Sequence, residues 1–194
     1  DIPCTGIGRI TEEEIDFANQ LGYKIKLLAT VRKNDDSGSL DIHVHPTLVP
    51  FENPLASINH EFNALFIKGN AIGDLMLYGK GAGSLPTGSA VVGDVMEIVR
   101  IMKNNVFEEK VYTSRYHIEP TTFSLGTSAY YLRLKVKDEP GVLGNITSAF
   151  GKNGISLQSV VQRGRGGSSV PLIFITHEAE RDKLDRALKE IREI

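Results

Sequence analysis

Gly79-Lys80-Gly81-Ala82-Gly83 is the stretch of this chain best suited to chemistry, and Pro86-Thr87-Gly88-Ser89-Ala90-Val91-Val92-Gly93-Asp94 follows almost at once. Backbone without side chains, placed at a helix N-terminus, lets an anionic or flat ligand come close to N–H groups. Gly79-x-Gly81-x-x-Ser84 nearly matches a dinucleotide fingerprint, with a strand expected before it and a helix after it. It departs in two ways. Serine stands at the third glycine position, and no acidic residue ends a strand about 20 residues on, where a ribose would be read. Asp94 and Glu97 fall inside the expected helix instead. The stretch therefore reads as a close-approach turn at the edge of a cofactor site, with a purely structural turn as the alternative.

Other chemistry-bearing residues carry less. His43 and His45 stand two apart on an expected strand, so they share a side, but no third metal ligand is evident. A solvated strand face is the favoured reading, and no metal site is expected. Arg163-Gly164-Arg165-Gly166-Gly167 has the composition of an RNA-binding repeat, yet one copy between strands reads as a loop. Lys183, Arg186 and Lys189 interleave with Asp182, Asp185 and Glu190, a solvated helix face. Cys4 is the only cysteine, which excludes an internal disulfide framework and a cysteine-based metal cluster.

Composition narrows the classes further. The 194 residues suffice for one large or two modest domains. A formal net charge of -2 gives no whole-chain attraction for nucleic acid or an anionic membrane, so neither partner is expected. No apolar run approaches the ~20 residues of a membrane span. Asp1-Ile2-Pro3-Cys4 lacks the charged and apolar regions of a signal peptide, and a cytoplasmic setting is expected.

The elements that must position these residues are legible in outline. Thr11-x-x-Glu14 is a capping box, and Gly22 is placed to end the helix that it starts. Tyr23 to Val31 reads as a buried strand around Leu27-Leu28-Ala29. A turn cluster spans 34–39. Leu40, Ile42 and Val44 then alternate with Asp41, His43 and His45, as in a half-buried hairpin strand with the aliphatic residues inward. Pro46, Pro50 and Pro54 suggest an irregular loop. Phe62 to Ile67 and Ile72 to Tyr78 make a hairpin with a Gly69-Asn70 turn signal. Pro86 suits the first turn of a long amphipathic helix marked by Ala90, Val91, Val95, Ile98, Val99 and Met102. Residues 104–127 read as a linker between a domain over 1–103 and a second over 128–194. The second reads β-α-β-β-α: a strand from Tyr130 to Val136, a helix through Phe150, strands over Ile155–Val161 and Pro171–Thr176, and a helix from Glu180. A further strand would complete a split βαβ plan.

Several separate runs resemble homoserine dehydrogenase in that family's order. They are Gly6-Ile7, Leu21-Gly22-Tyr23, Ile25-Lys26-Leu27-Leu28-Ala29, His45-Pro46-Thr47-Leu48-Val49-Pro50, Pro54-Leu55-Ala56, Phe62-Asn63-Ala64, and Gly79 to Asp94. The resemblance implies NADPH- or NADH-dependent reduction of aspartate β-semialdehyde to homoserine. It places Gly81, Ala82 and Gly83 at the edge of the nicotinamide cofactor. It also implies a preceding nucleotide-binding domain and a catalytic Asp and Lys that this sequence does not contain. Lys24 and Lys26 belong to a later motif and are not that lysine. No catalytic residue is therefore assigned, and neither NADP nor NAD is expected to bind tightly to this chain alone.

Residues 128–194 resemble an ACT regulatory domain through Val136 to Ile146, Phe150, Gly154-Ile155-Ser156-Leu157 and Gln158. Such domains bind amino acids at the turn between the first strand and the first helix, where helix N–H groups suit a carboxylate. The resemblance implies an effector site at Asp138, Gly141, Val142, Leu143 and Asn145, with threonine as ligand. Pro140-Gly141 as a mere strand-to-helix turn is the alternative. The expectation is thus an α+β protein: a mixed or antiparallel dehydrogenase fragment, then a ferredoxin-like ACT domain lacking or borrowing its last strand. Unpaired edges imply a homodimer or higher homo-oligomer. A non-catalytic amino-acid sensor that keeps the dehydrogenase remnant for dimerisation is the other reading.

Overall fold

The computed structural model describes residues 2–33, 40–104, 127–162 and 169–193. The 34–39 turn cluster, residues 105–126 of the expected linker, and the loop over 163–168 lie outside the described residues. The chain divides into two compact units, residues 1–29 with 43–117 and residues 30–42 with 118–194.

The first helix, α1 (Glu12–Gln20), starts as its sequence requires. The Glu14 N–H donates to Thr11 Oγ1 at 3.4 Å and the Thr11 N–H donates to Glu14 Oε2 at 2.8 Å. Gly22 then takes φ +85°, the left-handed end that glycine tolerates. Next come β1 (Tyr23–Lys33) and β2 (Leu40–Pro50), which pair as a two-stranded sheet. No residue of β1 is fully buried, contrary to the buried strand expected. Leu28 is half-buried and Leu27 is exposed, the alternation of a strand with one covered face.

β2 corrects two further expectations. It runs unbroken through Pro46 to Pro50 instead of ending in a loop. Proline is tolerated on the edge where its missing N–H is not needed. That edge is the one on which the Val44 N–H meets Pro3 C=O and Val44 C=O accepts from the Thr5 N–H, two residues before Pro46. The histidine side is also more covered than expected. His43 and Val49 are buried while Leu40, Ile42 and Val44 are only half-buried, so the histidine side is not solvated. Alternation showed two phases but not how far each would be covered. The His43 and His45 rings stack with centroids 4.2 Å apart.

A 3-10 turn over Pro54–Ser57 is capped by Asn53, whose side chain accepts from the Leu55 N–H. β3 (Phe62–Gly69) and β4 (Gly73–Lys80) form the expected antiparallel hairpin, in register from Phe62 opposite Lys80 to Gly69 opposite Gly73. Its loop is Asn70-Ala71-Ile72, and Gly73, at φ +73°, takes the left-handed position. α2 (Ser84–Asn104) follows. The apolar residues expected to mark its amphipathic face are exposed, with Val99 at 55% and Met102 at 63%.

The second unit holds β5 (Thr127–Ser128), β6 (Tyr131–Val136), α3 (Val142–Lys152), β7 (Leu157–Gln162), β8 (Val170–Thr176), β9 (Ala179–Glu180) and α4 (Arg181–Ile191). β6, β8 and β7 form an antiparallel sheet in that order. β5 and β9 make a short antiparallel pair. Ile146 and Phe150 of α3, Leu172 and Phe174 of β8, and Leu184 and Ala187 of α4 close one buried core with Ile155 and Ala179. Phe150 and Phe174 meet with ring centroids 5.3 Å apart. The fold is α+β, as expected.

Phe174 has no exposed surface. Phe174→Ala is expected to remove about 3–5 kcal/mol from the second unit, read as an earlier urea midpoint by circular dichroism. In the first unit His60 holds φ +57°. His60→Val is expected to destabilise by at least about 1 kcal/mol, because a β-branched residue resists that conformation, and His60→Gly is expected to be neutral or stabilising. Equal midpoints for the two variants contradict the assignment of strain there.

Candidate functional site

β4 ends at Lys80 and α2 begins at Ser84, so the connecting turn is Gly81-Ala82-Gly83. The Gly81 N–H donates to Glu61 C=O at 2.8 Å, which anchors the turn to the start of β3. The Lys80 ammonium reaches Glu61 Oε1 at 3.2 Å and lies 5.6 Å from the centroid of the Phe62 ring. Phe62 in turn stacks on Tyr78. A Cβ at position 81 would sit 1.8 Å from Asn63 Nδ2. Gly83 holds φ +119°, outside what L side chains adopt readily. Gly83 therefore has an intramolecular reason to be glycine, as the structural alternative requires, whereas Gly81 meets only the movable side chain of the exposed Asn63.

What the turn offers a ligand lies beside those glycines. Ala82 is exposed. The first backbone bond of α2 runs from the Thr87 N–H to Gly83 C=O at 3.1 Å. The N–H groups of Ser84 and Leu85 precede it, at the positive end of a 21-residue helix, and Pro86 has none to orient. The arrangement suits an anionic or flat group lying across the turn.

A lysine that sequence reasoning set aside is tied to this region. Lys26 projects from β1, and its Nζ donates to Ile58 C=O and to Asn59 Oδ1, the latter at 3.1 Å. Burial pushes the Lys26 ammonium below its ordinary pKa, and the nearby charge of Lys24 adds to the effect. Lys24 instead donates to Asn19 Oδ1 at 2.9 Å and stands over the Phe51 ring.

Of the residues expected to form an effector site, Asp138 and Gly141 lie between β6 and α3, and Val142, Leu143 and Asn145 lie in the first turns of α3. Gly141 is the N-cap of α3 at φ +94°, a left-handed position. The Asn145 N–H donates to Gly141 C=O at 2.9 Å, beginning the helical ladder. Asp138, Val142 and Leu143 come together on a cavity of about 40 Å³, with Val136, Gln162, Val170 and Leu172. Gly141 and Asn145 do not line it. Gln162 was missed by sequence reasoning, because the strand carrying it was expected to stop at Val161. Its amide donates to Asp138 Oδ1 at 3.2 Å.

Among the described residues no group of three or more His, Cys, Asp or Glu could hold a metal ion. Among them, also, no helix is long and apolar enough to cross a membrane.

The first unit carries a strand–glycine turn–helix segment, and the second is a two-helix layer on an antiparallel sheet, a ferredoxin-like arrangement. Residues 1–96 match the family model of homoserine dehydrogenase and residues 130–194 that of the ACT domain. A homoserine dehydrogenase from Synechocystis is 35% identical over 201 residues, covering 100% of this chain and 46% of that protein. One from Corynebacterium glutamicum is 38% identical, covering 99% of this chain and 43% of that protein. The crystal structure of a homoserine dehydrogenase from Thiobacillus denitrificans superposes with a TM-score of 0.78 at 32% identity, over 97% of this chain and 43% of that one. A homoserine dehydrogenase from S. aureus gives 0.61 at 30% identity, over 95% and 43%. The chain belongs to the homoserine dehydrogenase family and carries an ACT domain, and it spans a little under half the length of these relatives.

The packing at the turn gives a direct test. Gly81→Ala is expected to cost at most about 1 kcal/mol, because Asn63 is exposed and its side chain can turn aside. Asn63→Ala in the same chain is expected to recover most of that, and Gly79→Ala, which meets open space, is expected to be near neutral. Additive losses in the double variant contradict the contact.

Proposed function

We propose that this chain supplies the later part of the substrate and dimerisation domain of a homoserine dehydrogenase, over residues 1–103, and its ACT regulatory domain, over residues 128–194. Residues 104–127 connect them. The parent activity is hydride transfer between NADPH or NADH and the aldehyde of aspartate β-semialdehyde, giving homoserine on the route to threonine and methionine. Gly81, Ala82 and Gly83 form part of the cofactor's edge. The cofactor, when bound, supplies the hydride; the turn's contribution is a close, side-chain-poor surface beside helix N–H groups.

The observation that carries this reading is the uncovered apolar side of α2. Val91, Val95, Ile98, Val99 and Met102 are all exposed, as are Leu65 and Leu77 of the adjoining hairpin. An apolar surface of this extent marks an interface. We assign its cover to the nucleotide-binding region of the parent enzyme, with the hairpin strands pairing in a homodimer. A cytoplasmic setting follows from that biosynthetic role.

For the second unit we propose amino-acid feedback, with threonine at the β6–α3 turn. Asp138 meets the ligand's ammonium, and the first turn of α3, from Gly141 to Leu143, meets its carboxylate. Asn145 lies one turn on and meets a hydroxyl.

Two measurements test the proposal. NADPH oxidation with aspartate semialdehyde by the chain alone is expected to be absent, and measurable turnover contradicts the assignment of missing groups. Calorimetry with threonine on a dimeric sample is expected to show binding that Asp138→Ala weakens by at least about tenfold, the loss expected when a charged partner is removed. Failure of threonine and other amino acids to bind contradicts the effector site.

A further inference from the structure

We propose that Lys26 is a positioning residue for the glycine turn, acting through the segment from Asn53 to Asn63. This rests on the reading of Gly81–Gly83 as the cofactor's edge. A short chain of contacts carries it. The Lys26 ammonium binds Ile58 C=O and Asn59 Oδ1, fixing the segment directly before His60. Asn59 C=O accepts from the Phe62 N–H at 3.3 Å, and between them His60 holds the left-handed conformation, φ +57°. Glu61, the next residue, offers its C=O to the Gly81 N–H and its carboxylate to Lys80. Asn63 then fills the space where a side chain at 81 would be.

The turn is thus held by residues 61–63, and the backbone leading into them is held by one cation from β1. A residue at positive φ persists only where its surroundings over-determine it. Lys26 supplies that constraint on the N-terminal side of His60, and the β3–β4 ladder supplies it on the other. A lysine serves here because its ammonium carries three donors, enough for two acceptors at once. Partial burial of the ammonium fits this bracing role, since a charge taken from water persists only with its hydrogen bonds made.

Amide exchange of Gly81, Ala82 and Gly83, resolved by NMR on the whole chain, tests the inference. Lys26→Met keeps the aliphatic stem and removes the donors. It is expected to accelerate exchange at Gly81 by about tenfold, while amides of β6, β8 and β7 stay as in the parent chain. Lys26→Arg is expected to restore most of the protection. Unchanged exchange at Gly81 in Lys26→Met overturns the proposal. So does acceleration spread evenly over α1, β3 and β4, which marks a general loss of stability. Addition of NADPH to this chain joined to the nucleotide-binding region of the Corynebacterium glutamicum relative tests the underlying reading separately. Shifts centred on residues 79–85 support it. Shifts elsewhere, or none, overturn the cofactor reading while the exchange data still judge the link from Lys26 to the turn.

Discussion

An apolar helix face left in water is the constraint on which the whole account depends. Each Val, Leu, Ile or Met side chain that stays exposed forgoes about 1.5–3 kcal/mol of burial. α2 presents at least seven such side chains on one side, from Leu85 through Val91, Val95, Ile98 and Val99 to Met102, with Val92 beside them. Its polar residues Asp94, Glu97 and Arg100 cannot account for that surface. The helix is shaped to pack, and its partner is not among the described residues. The glycine turn at its N-terminus inherits this condition: a site at the end of a helix is only as fixed as the helix.

The two units are unequal in this respect. The second closes its own core, with Phe150 and Phe174 free of solvent and α3 and α4 both contributing. The first buries few residues completely, chiefly Phe17, Ala18, His43, Val49 and Ala56. A regulatory domain with its own core can respond to a ligand as a unit. A segment with a thin core depends on neighbours, which fits relatives more than twice the length of this chain.

What the sequence made legible was what is local. The Thr11–Glu14 capping box, the β3–β4 hairpin and the strand–turn–helix around Gly81 are each specified within a few residues, and the structure forms them. What failed was decided at a distance. Alternation over residues 40–45 announced a strand but could not say how far the His43 side would be covered. Proline at 46 and 50 read as a breaker, yet on the edge beside Pro3–Thr5 its missing donor does no harm. Gly81 looked like a glycine kept for a ligand. A side chain there would meet Asn63, eighteen residues earlier and beside it only because β3 pairs with β4. Gln162 was hidden for the same reason: its partner Asp138 lies far off in sequence, in the turn between β6 and α3.

The central claim is that α2 is an interface helix of a larger dehydrogenase. Peroxide oxidation of Met96 and Met102, followed by mass spectrometry, tests it most directly. The dilute chain would be compared with the same chain joined to the nucleotide-binding region of the Corynebacterium glutamicum relative. The account predicts rapid oxidation of both methionines in the chain alone and strong protection in the joined protein. Equal rates in the two would contradict it.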